Sequence, residues 1–289
     1  MKIIWVLENI KDNQNSFDYY TNSKLNVLLL LASVNLWRRN HPEDNCVLYA
    51  DDITIDALDR LKVLDFWHKI LPIPNPRKIN KSVFWASSKL QVLASVKEHV
   101  ILMDNDTHIY RPIKEHLDLN KVYVHNLEVG KGYYPTSLDE YVKKLSYKAR
   151  WQTESVNVAF LNLPDYKFTN EYAELSLKIM EEFTNMEVPH PQYLIFAEQL
   201  VLKHLLDKKN IEYQPLISTD WDCEKWEWGK DNDKGIWKLK ESGIFLKHYG
   251  PLKSWIKDNK ADQNYDLEMN HLLNCINLPK LDLSSIINK

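Results

Sequence analysis

The sequence predicts an α/β fold in which a layered sheet is followed by a C-terminal extension. Short, continuous apolar runs alternate with segments whose apolar residues recur at helical spacing. The runs are apolar at every position, as expected of parallel strands covered on both faces. No internal repeat, low-complexity run or clear linker divides the 289 residues. One domain over residues 1–255 is therefore expected, with 256–289 as its helical extension.

The elements follow in order. Ile3-Ile4-Trp5-Val6-Leu7 reads as a buried strand. Leu25, Leu28, Leu29, Ala32 and Leu36 then mark a helix, with Asn22 or Ser23 as its N-cap. Cys46 to Ala50 is a second strand. Asp52 caps a short helix carrying Ala57, Leu58 and Leu61. Ile70 to Pro74 runs from a strand into an extended segment, and Leu90, Leu93 and Ala94 mark a further helix. Val100-Ile101-Leu102-Met103 is the next buried strand. The middle is less regular, with Gly130 to Pro135 read as a loop. Val156 to Leu163 is a strand ended by Pro164. Tyr172, Leu175, Ile179 and Phe183 make an amphipathic helix. Tyr193 to Leu206 is helical but apolar on nearly every face. Such alternation favours a layered sheet with right-handed crossovers.

Composition excludes several classes. The 37 basic and 40 acidic residues give a net charge of −3, which does not suit a nucleic-acid partner. Six glycines in 289 residues leave neither a GxGxxG nor a GxxxxGK[ST] pattern, so phosphates are not expected to be cradled by backbone. Cys46, Cys223 and Cys275 are widely spaced and odd in number, which fits a reducing compartment and no zinc site. The apolar start is too short for a signal peptide, and the longest apolar stretch, Val27 to Val34, is far short of a membrane span. A cytoplasmic protein without a transmembrane segment is expected, with peripheral membrane contact left open.

The sharpest chemical signal is Asp104-Asn105-Asp106, directly after the Val100–Met103 run. Ligands of open α/β sheets sit at the carboxyl ends of strands. Two carboxylates placed there repel each other, and a divalent cation relieves that repulsion. Mg²⁺ is commonly held by one or two carboxylates together with substrate phosphates. Asp-Asn-Asp is also a turn-forming sequence. Other polar residues admit two readings each. Glu198 and Gln199 interrupt an apolar helix, so at least one should be buried with a partner; a structural hydrogen bond would serve as well as a sugar hydroxyl. His248 suits either a packed loop or a borderline metal such as Mn²⁺. Tyr19, Tyr20, Tyr133 and Tyr134 could stack on a base or sugar, or simply pack. Trp221, Trp226, Trp228 and Trp237 fit an acceptor-sugar platform or the core of an irregular tail.

With these residues in place, the sequence resembles glycosyltransferases of the GT-A fold, whose D-x-D follows such a strand and binds a metal and a nucleotide-sugar diphosphate. Lys89-Leu90-Gln91-Val92-Leu93 is similar to the K-L helix before that motif, which puts a basic residue near the diphosphate. Ser155 to Leu163 looks like the N-A-G-V-x-L-x-N-L segment near acceptor and sugar, with Ser155-Val156-Asn157 in place of N-A-G. Glu198-Gln199 is similar to the acidic-Gln pair that opens a helix beside the sugar. Lys247-His248-Tyr249-Gly250-Pro251-Leu252-Lys253-Ser254-Trp255 resembles the H-x-x-G-x-x-K-P-W signature of glycosyltransferase family 8, a retaining family. Gly250 and Lys253 stand one residue closer to His248 than in the signature, Ser254 replaces its proline, and Glu8-Asn9 stands where the D-x-N-Y segment that reads the base would be.

The resemblance implies a GT-A type, Rossmann-like α/β/α sheet and a metal-dependent transfer of a sugar from a UDP-sugar or related donor to a glycan, lipid-linked or other hydroxyl acceptor. It implies Mn²⁺ or Mg²⁺ on Asp104, Asp106 and His248. Lys89, Asp104, Asn105, Gly250 and Lys253 would meet the donor, and Gln199, Glu198 and Asn157 would line the reacting sugar. An inverting enzyme would instead need a carboxylate base, Glu154 or Glu198. A sugar-nucleotide nucleotidyltransferase or a non-catalytic carbohydrate-binding protein are the remaining alternatives.

Overall fold

The structure is a computed structural model that describes residues 1–9, 24–129, 134–151, 154–188, 192–216, 221–222, 236–239, 243–249 and 263–276. The cap candidates Asn22 and Ser23, together with Tyr19, Tyr20, Tyr133, Cys223, Trp226, Trp228, Gly250 and Lys253, lie outside the described residues.

Strand β1 (Lys2–Leu7) lies between β2 (Asn45–Ala50) and β4 (Val100–Met103), parallel to both, and β3 (Lys69–Pro72) extends the parallel set beyond β2. The sheet then turns antiparallel. Its order is β3-β2-β1-β4-β7-β6-β8, where β7 is Glu154–Leu163, β6 is Val122–Val129 and β8 is Tyr213–Pro215; β9 (Trp221–Asp222) also pairs with β6. A small antiparallel sheet, β10-β11-β5, is made from Ile236–Leu239, Gly243–His248 and Thr107–Ile109. The layered α/β/α sheet expected from sequence is therefore present.

The alternation of side chains along each strand sorts the core into two layers. Ile3, Trp5 and Leu7 of β1, Cys46 and Leu48 of β2, and Ile101 and Met103 of β4 face one layer. There they pack against helix α1 (Lys24–Asn40) and the last described helix. Ile4 and Val6, Val47 and Tyr49, and Val100 and Leu102 face the other. There they meet α3 (Ser87–Ser95), α4 (Tyr166–Asn185) and the helical stretch after it. Both faces are covered, so the strands carry no polar face and read as unbroken apolar runs. α1 is buried almost all round, from Leu25 to Ala32. Each such leucine removed from water contributes on the order of 1.5–3 kcal/mol. A buried chain of hydrogen bonds joins this layer to the site: Trp5 Nε1 donates to Ser33 Oγ (3.0 Å), and Ser33 Oγ donates to the Thr107 carbonyl (2.7 Å).

Three readings of the sequence need correcting. Helix α2 (Asp52–Arg60) is capped by Asp51, not Asp52: the Asp51 side chain accepts from Thr54 N, with extended backbone at φ −81°, ψ 165°. The irregular middle contains an eight-residue strand, β6, which sequence reading passed over. The stretch around Glu198 and Gln199 is not the opening of a helix. α5 (Gln192–Ile195) leads into a π-helical turn, Phe196–Leu200, and then into α6 (Val201–Lys208). Finally, α7 (Gln263–Ile276) packs on α1 through Met269, Leu272, Cys275 and Ile276. Asn35 Nδ2 donates to the carbonyls of Cys275 (2.8 Å) and Ile276 (3.0 Å) at its end.

Candidate metal centre and active site

β4 ends at Met103, and the Asp104 amide donates to the Ala159 carbonyl of β7 (2.8 Å). The chain then turns at once, with Thr107 N donating to the Asp104 carbonyl (3.1 Å), and enters β5. Asp-Asn-Asp is thus both a turn and a pair of strand-end carboxylates. β5 pairs antiparallel with β11, which sets His248 opposite Thr107. Tyr249 N donates to the Asp106 carbonyl (3.0 Å), closing that pairing. This pairing brings a histidine 142 positions beyond Asp106 back to it: His248 Nε2 lies 3.6 Å from Asp106 Oδ1.

One ligand atom each from Asp104, Asp106 and His248 lies within 4.8 Å of the others. Asp106 is buried, while Asp104 and His248 are half-buried. Two carboxylate oxygens and one imidazole nitrogen are a donor set that suits a divalent cation of intermediate character. The Oδ1 of Asn105, between the two aspartates, is buried and has no hydrogen-bond partner. A buried polar atom in that state costs about 1–3 kcal/mol unless something satisfies it. The residues present therefore fit a divalent metal.

Lys89, on the first turn of α3, donates to Asp104 Oδ1, and its Nζ lies 3.8 Å from Glu198 Oε1. At that distance the second contact is one of charge. Glu198 Oε1 is buried and makes no hydrogen bond. Burial pushes the Glu198 carboxyl up to about 7; Lys89 opposes the shift, and Asp104 and Glu128 reinforce it. Gln199 is half-buried beside it and accepts a long hydrogen bond from Tyr134 OH (3.5 Å). Asn157 is committed inside the protein: its Nδ2 donates to Glu128 Oε1 (2.7 Å), and its Oδ1 accepts from Ala159 N (2.9 Å). Glu154, the other candidate base, is exposed.

Sequence reading missed two residues here, both on β6. Glu128 is buried and held by the Tyr134 hydroxyl and by Asn157. Burial raises its proton affinity, against the pull of those two donors and of His248. His125 packs edge-on against the His248 ring, with centroids 4.8 Å apart. Burial, helped by His248, pushes His125 down to about 3, so it is neutral near pH 7. The apolar Val122-Tyr123-Val124 run and the short alternation Leu127-Glu128-Val129 were the available signal for this strand.

Comparison with solved structures finds likeness to glycosyltransferases. The galactosyltransferase LgtC, in complex with donor and acceptor sugar analogs, aligns over 99% of this chain and 100% of its own, at 10% identity and a TM-score of 0.48. The glycosyltransferase GlyE of Streptococcus pneumoniae TIGR4 aligns over 75% of this chain and 45% of its own, at 11% identity and a TM-score of 0.38. No curated protein matches the chain. A family model matches residues 1–236, and the chain accordingly belongs to the family of unknown function DUF6734.

Proposed function

We propose that this chain is a metal-dependent glycosyltransferase of the GT-A type. It would move one sugar from a nucleotide-diphosphate sugar, with UDP as the expected nucleotide, to a hydroxyl of a glycan or lipid-linked acceptor. The observation that carries the reading is the convergence of Asp104, Asp106 and His248 at the carboxyl end of β4. The mixed oxygen and nitrogen set favours Mn²⁺ over Mg²⁺.

The roles follow from the surroundings of each side chain. Asp106 and His248 would hold the cation, with Asp104 bound directly, through water or through the ribose. Bound there, a divalent cation stabilises charge on a leaving diphosphate. Lys89 offsets the negative charge of Asp104 and Glu198. Asn105, and Gly250 and Lys253 beyond the described residues, are assigned to the donor on the sequence resemblance. Glu198 and Gln199, displayed by the π-helical turn, would face the transferred sugar; π-helical turns are frequent at functional sites. Asn157 acts by fixing Glu128. The family 8 likeness favours retention of anomeric configuration. A second reading, inversion with Glu198 as general base, draws on the raised affinity of Glu198 for a proton.

Residues 1–255 as one domain with a helical extension over 256–289 is the organisation proposed with this function. Among the described residues no helix is long and apolar enough to cross a membrane. We place the enzyme in the cytoplasm, where nucleotide sugars are supplied, with peripheral contact to lipid-linked acceptors. The test is a panel of nucleotide sugars assayed for Mn²⁺-dependent hydrolysis, together with thermal shifts. UDP and Mn²⁺ together should raise Tm more than either alone. No hydrolysis of any donor, and a shift with nucleoside triphosphate alone, would favour a nucleotidyltransferase instead.

A further inference from the structure

We propose that Glu268 of the C-terminal helix α7 is a positioning residue for the metal ligand His248. The inference rests on the metal-site reading given above. Along the end of β11, successive side chains point to opposite faces. His248 points toward Asp106 and the His125 ring. Its two neighbours, Lys247 and Tyr249, point the other way, and both end on the same atom. Lys247 Nζ lies 2.8 Å from Glu268 Oε1, and the Tyr249 hydroxyl donates to that oxygen.

The grip is well buried. Tyr249 is 0% exposed and Lys247 7%. The Lys247 ammonium also lies over the Tyr249 ring, 4.3 Å from its centroid, and that ring packs on His108 at 4.8 Å. Glu268 is held in place because α7 is anchored from Met269 to its end. Tyr110 OH and His271 Nε2 are 2.9 Å apart, Met269 and Leu272 are buried in the core, and Asn35 holds the helix end. One carboxylate therefore fixes the main chain on both sides of His248 and so fixes where its imidazole points. Outer partners of metal ligands typically carry 10–100-fold in metal affinity. Glu268 acts through the backbone, so the low end of that range applies.

Mn²⁺ binding to the full chain tests this, followed by titration and by electron spin-echo modulation from the ligand nitrogen. Wild type should bind Mn²⁺ with nitrogen modulation, and His248→Ala should lose the modulation. Glu268→Gln should fold, bind Mn²⁺ about 10-fold more weakly and show reduced modulation; a merely structural role would lower Tm and leave both unchanged. If Glu268→Gln does not fold, Tyr249→Phe decides the matter, with about a 3-fold loss expected. Either folded variant with wild-type affinity and modulation overturns the role of Glu268 alone. A wild-type protein that binds no Mn²⁺ overturns the metal site itself, and this inference with it.

Discussion

Replacing Asp106 by Asn perturbs the site without making a cavity, because the two side chains have nearly the same shape. The Asp104 and Asp106 ligand atoms lie within 4.8 Å. At an effective dielectric constant of ~20, two negative charges at that separation repel by about 3 kcal/mol. The Lys89 ammonium already offsets part of this through Asp104. If about 1 kcal/mol of repulsion survives, its removal should raise the Tm of the metal-free protein by roughly 2 °C. The same substitution should weaken Mn²⁺ by 10-fold or more, since a lost ligand costs at least as much as a lost outer partner. The two readouts thus move in opposite directions. Calorimetric titration of UDP with and without Mn²⁺, beside thermal melts, checks both. Metal-dependent UDP affinity equal to wild type in a folded Asp106→Asn protein would refute the assignment.

Three further outcomes are expected. His248→Ala should weaken Mn²⁺ by about 10-fold, whereas Lys253→Ala should leave Mn²⁺ bound and weaken UDP by the ~1.5–3 kcal/mol of a charge-assisted contact; titrating each ligand separately distinguishes them. Glu198 binds its proton more tightly folded than unfolded, being raised from 4.5 to about 7. Its contribution to stability is therefore greatest below pH 4.5 and is lost as pH rises through about 7. Glu198→Gln should flatten that decline, gaining stability over wild type at pH 8 by up to about 3 kcal/mol; urea melts in which the unfolding free energy falls equally from pH 5 to pH 8 in both proteins would contradict it. Glu128→Gln should lower transfer with little effect on Mn²⁺ affinity, because Glu128 is not among the Asp104, Asp106 and His248 cluster and is held instead by Tyr134 and Asn157.

What the sequence could and could not disclose follows from the range of each interaction. The β4 strand and its two aspartates were readable because burial on both faces forces an unbroken apolar run, and because ligands collect at strand ends. Helix α2 was readable, but its cap was not: Asp51 and Asp52 are chemically the same, and only backbone geometry decides that Asp51 caps while its carbonyl still accepts from Ile55 N. β6 was harder. Its register slips between Val124 and Asn126 where it pairs with β7, so simple alternation breaks in mid-strand, just where His125 and Asn126 are buried as polar residues. The π-helical turn at Phe196–Leu200 was not legible, since one wide turn inside an apolar helix leaves no periodic trace that survives over five residues. His248 marks the limit most clearly. By itself it is an ordinary histidine after Ile244-Phe245-Leu246-Lys247, and only the resemblance to a known signature singled it out. Its position depends on the pairing of β11 with β5 and on a helix that begins fifteen residues later. That dependence explains why the C-terminal helix, none of whose described side chains joins the cluster, bears on the placement of His248. The pairing with β5 sets His248 in register with the aspartates, and the carboxylate of α7 keeps the strand from rotating out of it.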